Sequence, residues 1–271
     1  MKKHPEIDQL LNTIHASILK RYGQNFLVDE TIQRMIVDAA NIQKNDVVLE
    51  IGPGLGALTH HLPFKDIQYI SYEIDRQYHL YLQQTFSVNT RHYGQNFLKA
   101  NPEHVDVILG NLPYYITTDL LEKVMKDFSS AKRGVFLIQK EVIARLVARP
   151  GDDAYGPLAV LMQFLGTIDI LMDVPPDRFY PEPHVTSTVF LLRLHHAYDH
   201  ISSRSFFYFV KKLFLNRRKN LLNNLTFLTL EKETIITTLN NVSIPSSLRP
   251  EQLSFESILQ LFLSFQGHFD L

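Results

Sequence analysis

A strand that runs directly into a glycine-rich turn constrains the fold of this chain most strongly. Residues 47–51 read Val-Val-Leu-Glu-Ile, as buried strands do, and Gly-Pro-Gly-Leu-Gly follows at 52–56. Glycine permits positive φ and lets a ligand approach the backbone closely. A helix is predicted next, from Ala57 to Leu62. Strand, turn and helix together indicate the first part of a parallel α/β sheet with a ligand at the turn.

The alternation of strands and helices continues through the first two thirds of the chain. Six more strands are predicted at 67–72, near Arg91, and at 105–110, 134–138, 167–172 and 187–194. Helices are predicted at 29–40, with Asp29 as N-cap, and at 75–86, 118–128, 140–148 and 157–164. This alternation predicts an α/β fold with a mostly parallel, doubly wound sheet. A proline-rich loop at 174–183 separates the last two strands, so we expect these to form a hairpin with one strand antiparallel.

Composition divides the chain into three predicted parts. Residues 1–21 form a polar N-terminal arm, residues 22–195 an α/β domain, and residues 196–271 a small domain with helical periodicity only. The hexapeptide Tyr-Gly-Gln-Asn-Phe-Leu occurs at 22–27 and again at 93–98. The sequences flanking the two copies do not match, so we do not interpret them as an internal repeat.

Composition also narrows the class of protein. The 271 residues are 45% hydrophobic, which supports a substantial core, and the chain contains no cysteine. A metal site is not expected, because the twelve histidines are scattered and no carboxylate or cysteine completes a ligand set. No apolar run approaches the length of a membrane span, and the N-terminus lacks the apolar block of a secretory signal. We therefore expect a cytoplasmic protein that does not enter a membrane.

A carboxylate at the end of the second strand indicates the kind of ligand. Glu73 follows the strand at 67–72, about twenty residues beyond the glycine turn, where it can accept hydrogen bonds from ribose hydroxyls. A nicotinamide dinucleotide is the rival ligand. The spacing of Gly52, Gly54 and Gly56 does not match its glycine pattern, and Pro53 lacks an N–H for a pyrophosphate. A ligand with a ribose and no phosphate fits better, and S-adenosylmethionine is the leading candidate.

Asn111-Leu112-Pro113-Tyr114 follows the strand at 105–110 and indicates the chemistry. An asparagine oxygen and a neighbouring main-chain carbonyl can accept both hydrogens of an exocyclic amine. The ring of Tyr114 can stack on the same base, a contact worth roughly 1–3 kcal/mol. Asparagine and proline are also common in ordinary turns, so these four residues alone leave both interpretations open. Together with the glycine turn and Glu73, they favour a site that holds a planar, amine-bearing ring.

A basic block within the helical region indicates a phosphate-binding surface. Between residues 201 and 225 there is no acidic residue, although the net charge of the whole chain is only −1. A solvated helix face is the alternative interpretation. The basic residues of the block are Arg204, Lys211, Lys212, Arg217, Arg218 and Lys219.

The chain resembles the rRNA adenine N6,N6-dimethyltransferase family. The resemblance covers residues 20–194 and 206–225, and no single motif carries it alone. The matching segments, in family order, are 23–27, 50–54, Glu73, 111–114, 139–142, 155–156, 175–183 and 217–219. It implies a seven-stranded, Rossmann-like methyltransferase sheet with a helical C-terminal domain. It also implies methyl transfer from S-adenosylmethionine to two adjacent adenines in a hairpin loop near the 3′ end of small-subunit rRNA.

The resemblance also implies roles for individual residues. Asn25 and Leu27 cover the methionine end of the cofactor, Gly52 and Gly54 form the turn beneath it, and Glu73 binds its ribose. Position 96 reads the cofactor's adenine, although the family usually has Asp where this chain has Asn96. Asn111 lies between the cofactor and the target, Leu112 and Pro113 belong to the same catalytic motif, and Tyr114 and Phe179 sandwich the target base. Arg217, Arg218 and Lys219 match the family, and with Lys211 and Lys212 of the basic block they are the expected RNA-contacting residues.

Two alternative functions stay open from the sequence. One is a large-subunit rRNA adenine methyltransferase of the antibiotic-resistance type, against which the segments 179–183 and 217–221 argue. The other is a ribosome-assembly or transcription factor that has lost activity, which Asn96 favours and the intact segment 111–114 disfavours. The expected partner is small-subunit rRNA within a pre-ribosomal particle, bound by a monomer of this chain.

Overall fold

The structure is a computed structural model that describes residues 4–19, 23–128, 130–195 and 197–268, apart from the side chains of Tyr114 and Met125. Contacts group the chain into two compact units. The first comprises Met1–Ile143 and Thr167–Leu194, and the second comprises Ala144–Gly166 and His195–Leu271. None of the described helices combines the length and apolar character that a membrane crossing requires.

A seven-stranded sheet forms the first unit. Its strands are β2 (Val47–Ile51), β3 (Gln68–Tyr72), β4 (Thr90–Tyr93), β5 (Val107–Asn111), β6 (Arg133–Gln139), β7 (Gly166–Val174) and β9 (Ser187–Leu194). The spatial order is β4-β3-β2-β5-β6-β9-β7, with the first five strands parallel and β9 antiparallel to β6. The predicted mostly parallel, seven-stranded fold class is therefore confirmed.

The predicted hairpin at the end of the sheet is present. Thr188 and Arg193 of β9 hydrogen-bond Asp173 and Asp169 of β7, so the partner numbers fall as the β9 numbers rise. The two strands therefore lie side by side in opposite directions. The proline-rich loop between them contains β8 (Phe179–Tyr180), which pairs with β1 (Phe26–Leu27) as a separate antiparallel ribbon.

Five of the described helices belong to the first unit, and one of them begins at the predicted N-cap Asp29. These helices are α1 (Pro5–Thr13), α2 (Glu30–Ala39), α3 (Arg76–Thr85), α4 (Thr117–Asp127) and α5 (Lys140–Leu146), the last continuing into the second unit. Asp29 and Asp75 accept hydrogen bonds from the first backbone N–H groups of α2 and α3. The predicted helix at 57–62 was wrong: only a 3-10 turn at Thr59–His61 forms there. Turns through Gly54 and Gly56 at positive φ delay its start, and Pro63 ends it.

The N-terminal arm contains an amphipathic helix rather than a purely polar segment. Leu11 of α1 is buried with Phe26, Leu55 and Tyr78 in a small apolar cluster. Hydrogen bonds attach the arm to the same unit, including one from the Tyr180 hydroxyl to Asp8 at 2.7 Å. The arm is therefore part of the packed structure of the first unit.

The second unit is helical. It consists mainly of α6 (Pro157–Leu165), α7 (Ser203–Leu213), α8 (Leu221–Asn224), α9 (Lys232–Asn241) and α10 (Phe255–Phe265). Phe164 of α6 stacks on Phe206 of α7 at 4.4 Å between ring centroids. Because of this packing, residues 144–166 belong with the C-terminal helices, whereas the sequence analysis included them in the domain 22–195. Leu215 is 71% exposed because it lies beyond the end of α7.

Candidate active site

A cavity in the first unit lies at the carboxyl ends of its central parallel strands. Five chain segments line most of it: 23–27, 50–54, 72–74, 95–98 and 111–116. Four of them follow or end a strand of the sheet, and the fifth contains β1. Parallel α/β sheets bind their ligands at this edge, where the strand order reverses. Nine of the predicted site residues line this cavity: Asn25, Leu27, Gly52, Gly54, Glu73, Asn96, Asn111, Leu112 and Pro113.

The glycine turn after β2 leaves room for a ligand. Gly52 and Gly54 adopt φ of +65° and +58°, a region that other residues rarely enter. A Cβ built on Gly52 would meet no atom within 4 Å, so it would project into open space. A Cβ on Gly54 would lie 3.2 Å from the ring of Phe26. The turn therefore brings bare backbone to the cavity, as the sequence predicted.

Glu73 is held rigidly at the end of β3. Its Oε2 accepts a hydrogen bond from the Gly54 N–H at 3.0 Å, and its Oε1 accepts one from the Asp75 N–H at 2.8 Å. The side chain is 5% exposed, and burial raises the pKa of its carboxyl from 4.5 to about 7 against the opposing effect of these bonds. Each oxygen keeps a further lone pair, so the carboxyl can still accept hydrogen bonds from a diol.

Glu50 is a second cavity carboxylate, which the sequence analysis noted only within a motif. Its Oε2 accepts hydrogen bonds from the hydroxyls of Thr59 and Tyr69, each at 2.7 Å. Burial raises the pKa of its carboxyl to about 7. The signal in the sequence was a lone acid inside the apolar strand Val47–Ile51, since a buried acid needs specific partners.

Asn111 lies at the end of β5 with its amide oriented by the N-terminal segment. Its Nδ2 donates a hydrogen bond to the main-chain carbonyl of Asn25 at 3.0 Å. Because a carbonyl oxygen can only accept, the side-chain atom facing it is Nδ2. The Oδ1 of Asn111 is therefore the atom left to accept a hydrogen bond from another group. Asn25 in turn donates from its own Nδ2 to the carbonyl of Gly23 at 3.2 Å. The two predicted site residues are therefore directly linked.

The residues after Asn111 differ in what they present to the cavity. Leu112 is buried, and its N–H bonds the Leu137 carbonyl of β6. Pro113 lines the cavity, and so does the half-exposed ring of Tyr115, which the sequence analysis did not single out. The side chain of Tyr114 lies outside the described part of the structure.

Phe179 occupies a position different from that of the other predicted residues. It pairs with Leu27 across the β1–β8 ribbon and is 4% exposed within the apolar core. It is not among the described residues that line the cavity. A role as a wall for a base therefore stays a prediction, and that role requires the ring to be uncovered.

The predicted RNA-contacting residues lie in the second unit, in α7 and the turn that follows it. Lys212 lies over the ring of Tyr208, and Lys211, Arg218 and Lys219 are exposed. Arg217 donates to the carbonyl of Asp153 at 3.0 Å, and its Nε lies 3.5 Å from a carboxylate oxygen of Glu251. Arg217 is thus partly engaged within its own unit. Among the residues the structure describes, no cluster of three His, Asp or Glu side chains has the arrangement of a metal site.

Comparison with known proteins gives one consistent family. The family model described as ribosomal RNA adenine dimethylase matches residues 16–266 of this chain. A ribosomal RNA small subunit methyltransferase A from Francisella tularensis subsp. novicida is 37% identical over 261 residues, covering 90% of this chain and 97% of that protein. A protein of the same name from Levilactobacillus brevis is 36% identical over 276 residues, covering 95% of this chain and 93% of its own length.

Two solved structures share the fold. A dimethyladenosine transferase from Plasmodium falciparum superposes with a TM-score of 0.77 at 24% identity, covering 90% of this chain and 98% of that one. The 23S rRNA methyltransferase ErmE superposes with a TM-score of 0.64 at 24% identity, covering 89% of this chain and 100% of that one. At this level of identity the two structures support the fold alone.

Proposed function

This chain belongs to the ribosomal RNA adenine dimethylase family, and from that premise we propose that it dimethylates two adjacent adenines of small-subunit rRNA. The proposed targets are the N6 amines in a hairpin loop near the 3′ end of that RNA. The methyl donor is S-adenosylmethionine. The observation that carries the proposal is the Asn111 amide, fixed by the Asn25 carbonyl beside a cavity that suits this cofactor.

The cavity residues fit S-adenosylmethionine, which when bound supplies an electrophilic methyl group. The open backbone at Gly52 provides the space beneath the cofactor, and the fixed carboxyl of Glu73 accepts hydrogen bonds from its ribose hydroxyls. Asn25 and Leu27 cover its methionine end. We assign these roles because all of these residues line the same cavity.

Asn111 prepares the target amine for attack. The lone pair of an adenine amine is delocalised into the ring, so the amine is a weak nucleophile. Accepting its two hydrogens on two fixed oxygens draws the nitrogen toward a tetrahedral geometry with an exposed lone pair. The Oδ1 of Asn111 is one acceptor. Orienting the amine in this way supplies much of the rate, and the cationic product then loses its proton readily.

The second acceptor is a main-chain carbonyl close to Asn111. The Pro113 carbonyl already accepts hydrogen bonds from the Ile116 N–H at 3.3 Å and the Thr117 hydroxyl at 2.9 Å. These bonds use both of its lone pairs. We therefore assign the second acceptor to the carbonyl of Leu112. The target base has to leave the RNA stack to reach these atoms, and Tyr114 and Phe179 are the proposed aromatic walls.

The experiment that tests this function is labelled methyl transfer to purified small subunits that lack the modification, followed by mapping of the labelled bases. We expect two adjacent dimethylated adenines near the 3′ end of the RNA. Label found only in large subunits would identify the large-subunit methyltransferase instead. No label in either subunit, with S-adenosylmethionine still bound, would identify a non-catalytic assembly factor.

We further propose that a monomer acts in the cytoplasm on a pre-ribosomal particle, and that α7 and the turn after it position the RNA. Replacing Arg218 and Lys219 with Ala is expected to weaken subunit binding and to flatten its salt dependence by somewhat over one unit of slope, since each phosphate contact contributes about 0.7–0.9. Arg217→Ala is expected to change the slope less, because Arg217 is engaged with Glu251. The Lys232→Ala variant, which lies on α9 outside the basic block, is the control. An unchanged slope in the double variant would make the block an ordinary solvated surface.

A further inference from the structure

The buried side chain of Asn224, in α8 of the second unit, hydrogen-bonds the main chain of the turn that precedes it. Its Nδ2 lies 3.1, 3.0 and 3.1 Å from the carbonyl oxygens of Asn216, Lys219 and Asn220. Its Oδ1 accepts a hydrogen bond from the Asn216 N–H at 3.2 Å. The residue is 4% exposed, so these bonds are shielded from water. One amide therefore satisfies four main-chain groups.

The turn held by Asn224 carries basic side chains beyond the end of α7. It comprises residues 216–219, and a main-chain bond from the Lys219 N–H to the Asn216 carbonyl at 2.9 Å also closes it. The three basic side chains within the turn are exposed. The turn therefore directs two of its carbonyl oxygens inward, to Asn224, and its basic side chains outward.

An asparagine at this position does what neither an apolar residue nor an acid can do. Its NH2 group supplies two donors to the clustered carbonyls, and its oxygen supplies an acceptor to the Asn216 N–H. Alanine would leave buried main-chain groups without a partner. Aspartate would keep the acceptor but would set an oxygen against the three carbonyls. The shape of the turn thus depends on the donor end of a single amide.

We propose that Asn224 is a positioning residue for the RNA substrate, because it holds the turn 216–219 in the shape that presents Arg218 and Lys219 to neighbouring phosphates. This inference rests on the proposed role of the basic block in binding rRNA. A turn that is already ordered avoids the entropic cost of being fixed when RNA binds. Asn224 is buried and belongs to a different unit from the cavity, so its loss should weaken RNA binding and leave methyl transfer itself unchanged.

The test compares Asn224→Ala with Asn223→Ala in the full chain, using small subunits that lack the modification. For Asn224→Ala we expect the dissociation constant for subunits to rise about tenfold, the scale of ordering two flexible side chains. We expect KM for subunits to rise in parallel, with kcat and the affinity for S-adenosylmethionine within about twofold of the wild type. Asn223→Ala is the matched control and should bind like the wild type, because Asn223 is exposed and its Nδ2 bonds the Asn220 side chain at 2.8 Å rather than the turn.

A multiple-mutant comparison separates positioning of the turn from general support of the helical unit. If Asn224 acts through Arg218 and Lys219, adding Asn224→Ala to the Arg218→Ala/Lys219→Ala variant should not weaken subunit binding further. The salt dependence of binding by Asn224→Ala should flatten toward that of the same variant. Asn224→Ser, whose hydroxyl can keep a bond to the Asn220 carbonyl four residues back, carries the same comparisons if the alanine variant does not fold.

The outcomes separate this inference from the proposed reaction. A further loss of about tenfold when Asn224→Ala is added to the variant lacking both basic side chains would overturn the positioning role. An unchanged salt slope in Asn224→Ala, or an equal loss in Asn223→Ala, would overturn it as well. If the wild type binds small subunits without methylating them, the proposed reaction fails and the binding comparisons still decide the role of Asn224. A wild type that does not bind small subunits would overturn this inference together with the proposed function.

Discussion

The same five residues, Gly-Gln-Asn-Phe-Leu, border the cavity at two places and adopt different structures there. In the first copy, residues 23–27, the chain passes through Gly23 at φ +58° and enters the short strand β1. In the second copy, residues 94–98, the chain leaves β4 and enters a 3-10 turn capped by Asn96. Identical local sequence therefore does not determine either conformation, and the surrounding chain has to do so.

The side chains of the two asparagines, Asn25 and Asn96, also make different hydrogen bonds. Asn25 uses the donor end of its amide, toward the Gly23 carbonyl, and its own main-chain carbonyl holds Asn111. Asn96 uses the acceptor end, toward the Leu98 N–H. One residue type therefore presents an oxygen to the cavity in one copy and a nitrogen in the other. The chemistry of a residue in a binding site depends on which of its atoms the fold has already used.

The largest expected effect concerns Asn111, whose amide donates a hydrogen bond to the main-chain carbonyl of Asn25 in the first copy. We expect Asn111→Ala to lower the single-turnover methylation rate by about a thousandfold, the scale of losing a preorganised polar contact to a reacting group. Cofactor affinity, measured by calorimetry, should stay within about tenfold of the wild type, because the amide mainly orients the target amine.

Asn111→Asp sharpens this test. Aspartate keeps an acceptor but cannot donate to the Asn25 carbonyl, so we expect its rate to be lost as well, through misorientation of the carboxylate. Full activity of Asn111→Asp would show that the contact with the first copy is dispensable. An equal loss of rate and cofactor affinity in Asn111→Ala would make Asn111 a cofactor residue.

The second prediction compares the two leucines. Leu27 is 2% exposed in the main core of the first unit and pairs with Phe179, whereas Leu98 is only half-buried. Leu27→Ala should lower the free energy of unfolding by about 3 kcal/mol, and Leu98→Ala by about 1 kcal/mol or less. Urea unfolding of both variants measures this difference. Equal losses would mean that the two copies are supported equally, contrary to their packing.

The third prediction is that the free energy of unfolding depends on pH through the two carboxyls in the cavity. Neither copy of the hexapeptide carries an acid or a base other than tyrosine, whereas Glu50 and Glu73 both have their carboxyl pKa raised to about 7 by burial. The native state therefore binds more protons than the unfolded state between pH 4.5 and 7. Each carboxyl makes the free energy of unfolding fall as pH rises through that window, by up to roughly 3 kcal/mol.

Glutamine at the two positions distinguishes these carboxyls. Both hydroxyls that bond Glu50 reach the same oxygen, so Glu50→Gln can keep both bonds and remove the titration. We expect its stability relative to the wild type to rise steadily from pH 4.5 to 7. Glu73 accepts one N–H on each oxygen, so Glu73→Gln opposes an NH2 group to one of them and should be less stable than Glu50→Gln at pH 7. A parallel pH dependence of Glu50→Gln and wild type in urea unfolding would contradict the assignment.

Part of the fold and of the site could be predicted from the sequence, and part could not. Alternating strands and helices predicted the sheet, and residues placed just after strands, such as Glu73 and Asn111, converge because parallel strands end at one edge. The role of α1 was missed, because its apolar residues follow helical spacing within a charged segment and contain no continuous apolar run. The grouping of 144–166 with the C-terminal helices depends on contacts such as Phe164 with Phe206, which are distant in sequence. The orientation of Asn96 depends on a cap that the identical first copy does not form.

The smallest expected effect is on the stability of alanine variants at the two glycines, Gly23 and Gly94. The comparison separates destabilisation by backbone strain from destabilisation by a side-chain clash. Gly23 has φ +58°, where alanine costs about 1 kcal/mol whatever surrounds it. Gly94 does not lie in that region, but a Cβ there would be 2.7 Å from the Cδ2 of His79. Gly94→Ala should therefore cost about 1 kcal/mol through displacement of the histidine ring. His79→Ala should remove that cost in a double-mutant cycle measured by urea unfolding.

The matched cycle of Gly23→Ala with Tyr115→Ala, whose ring lies 3.4 Å from the added Cβ, should show no such coupling, because the strain is in the backbone. Coupling of similar size in both cycles would mean that the two copies resist a side chain for the same reason.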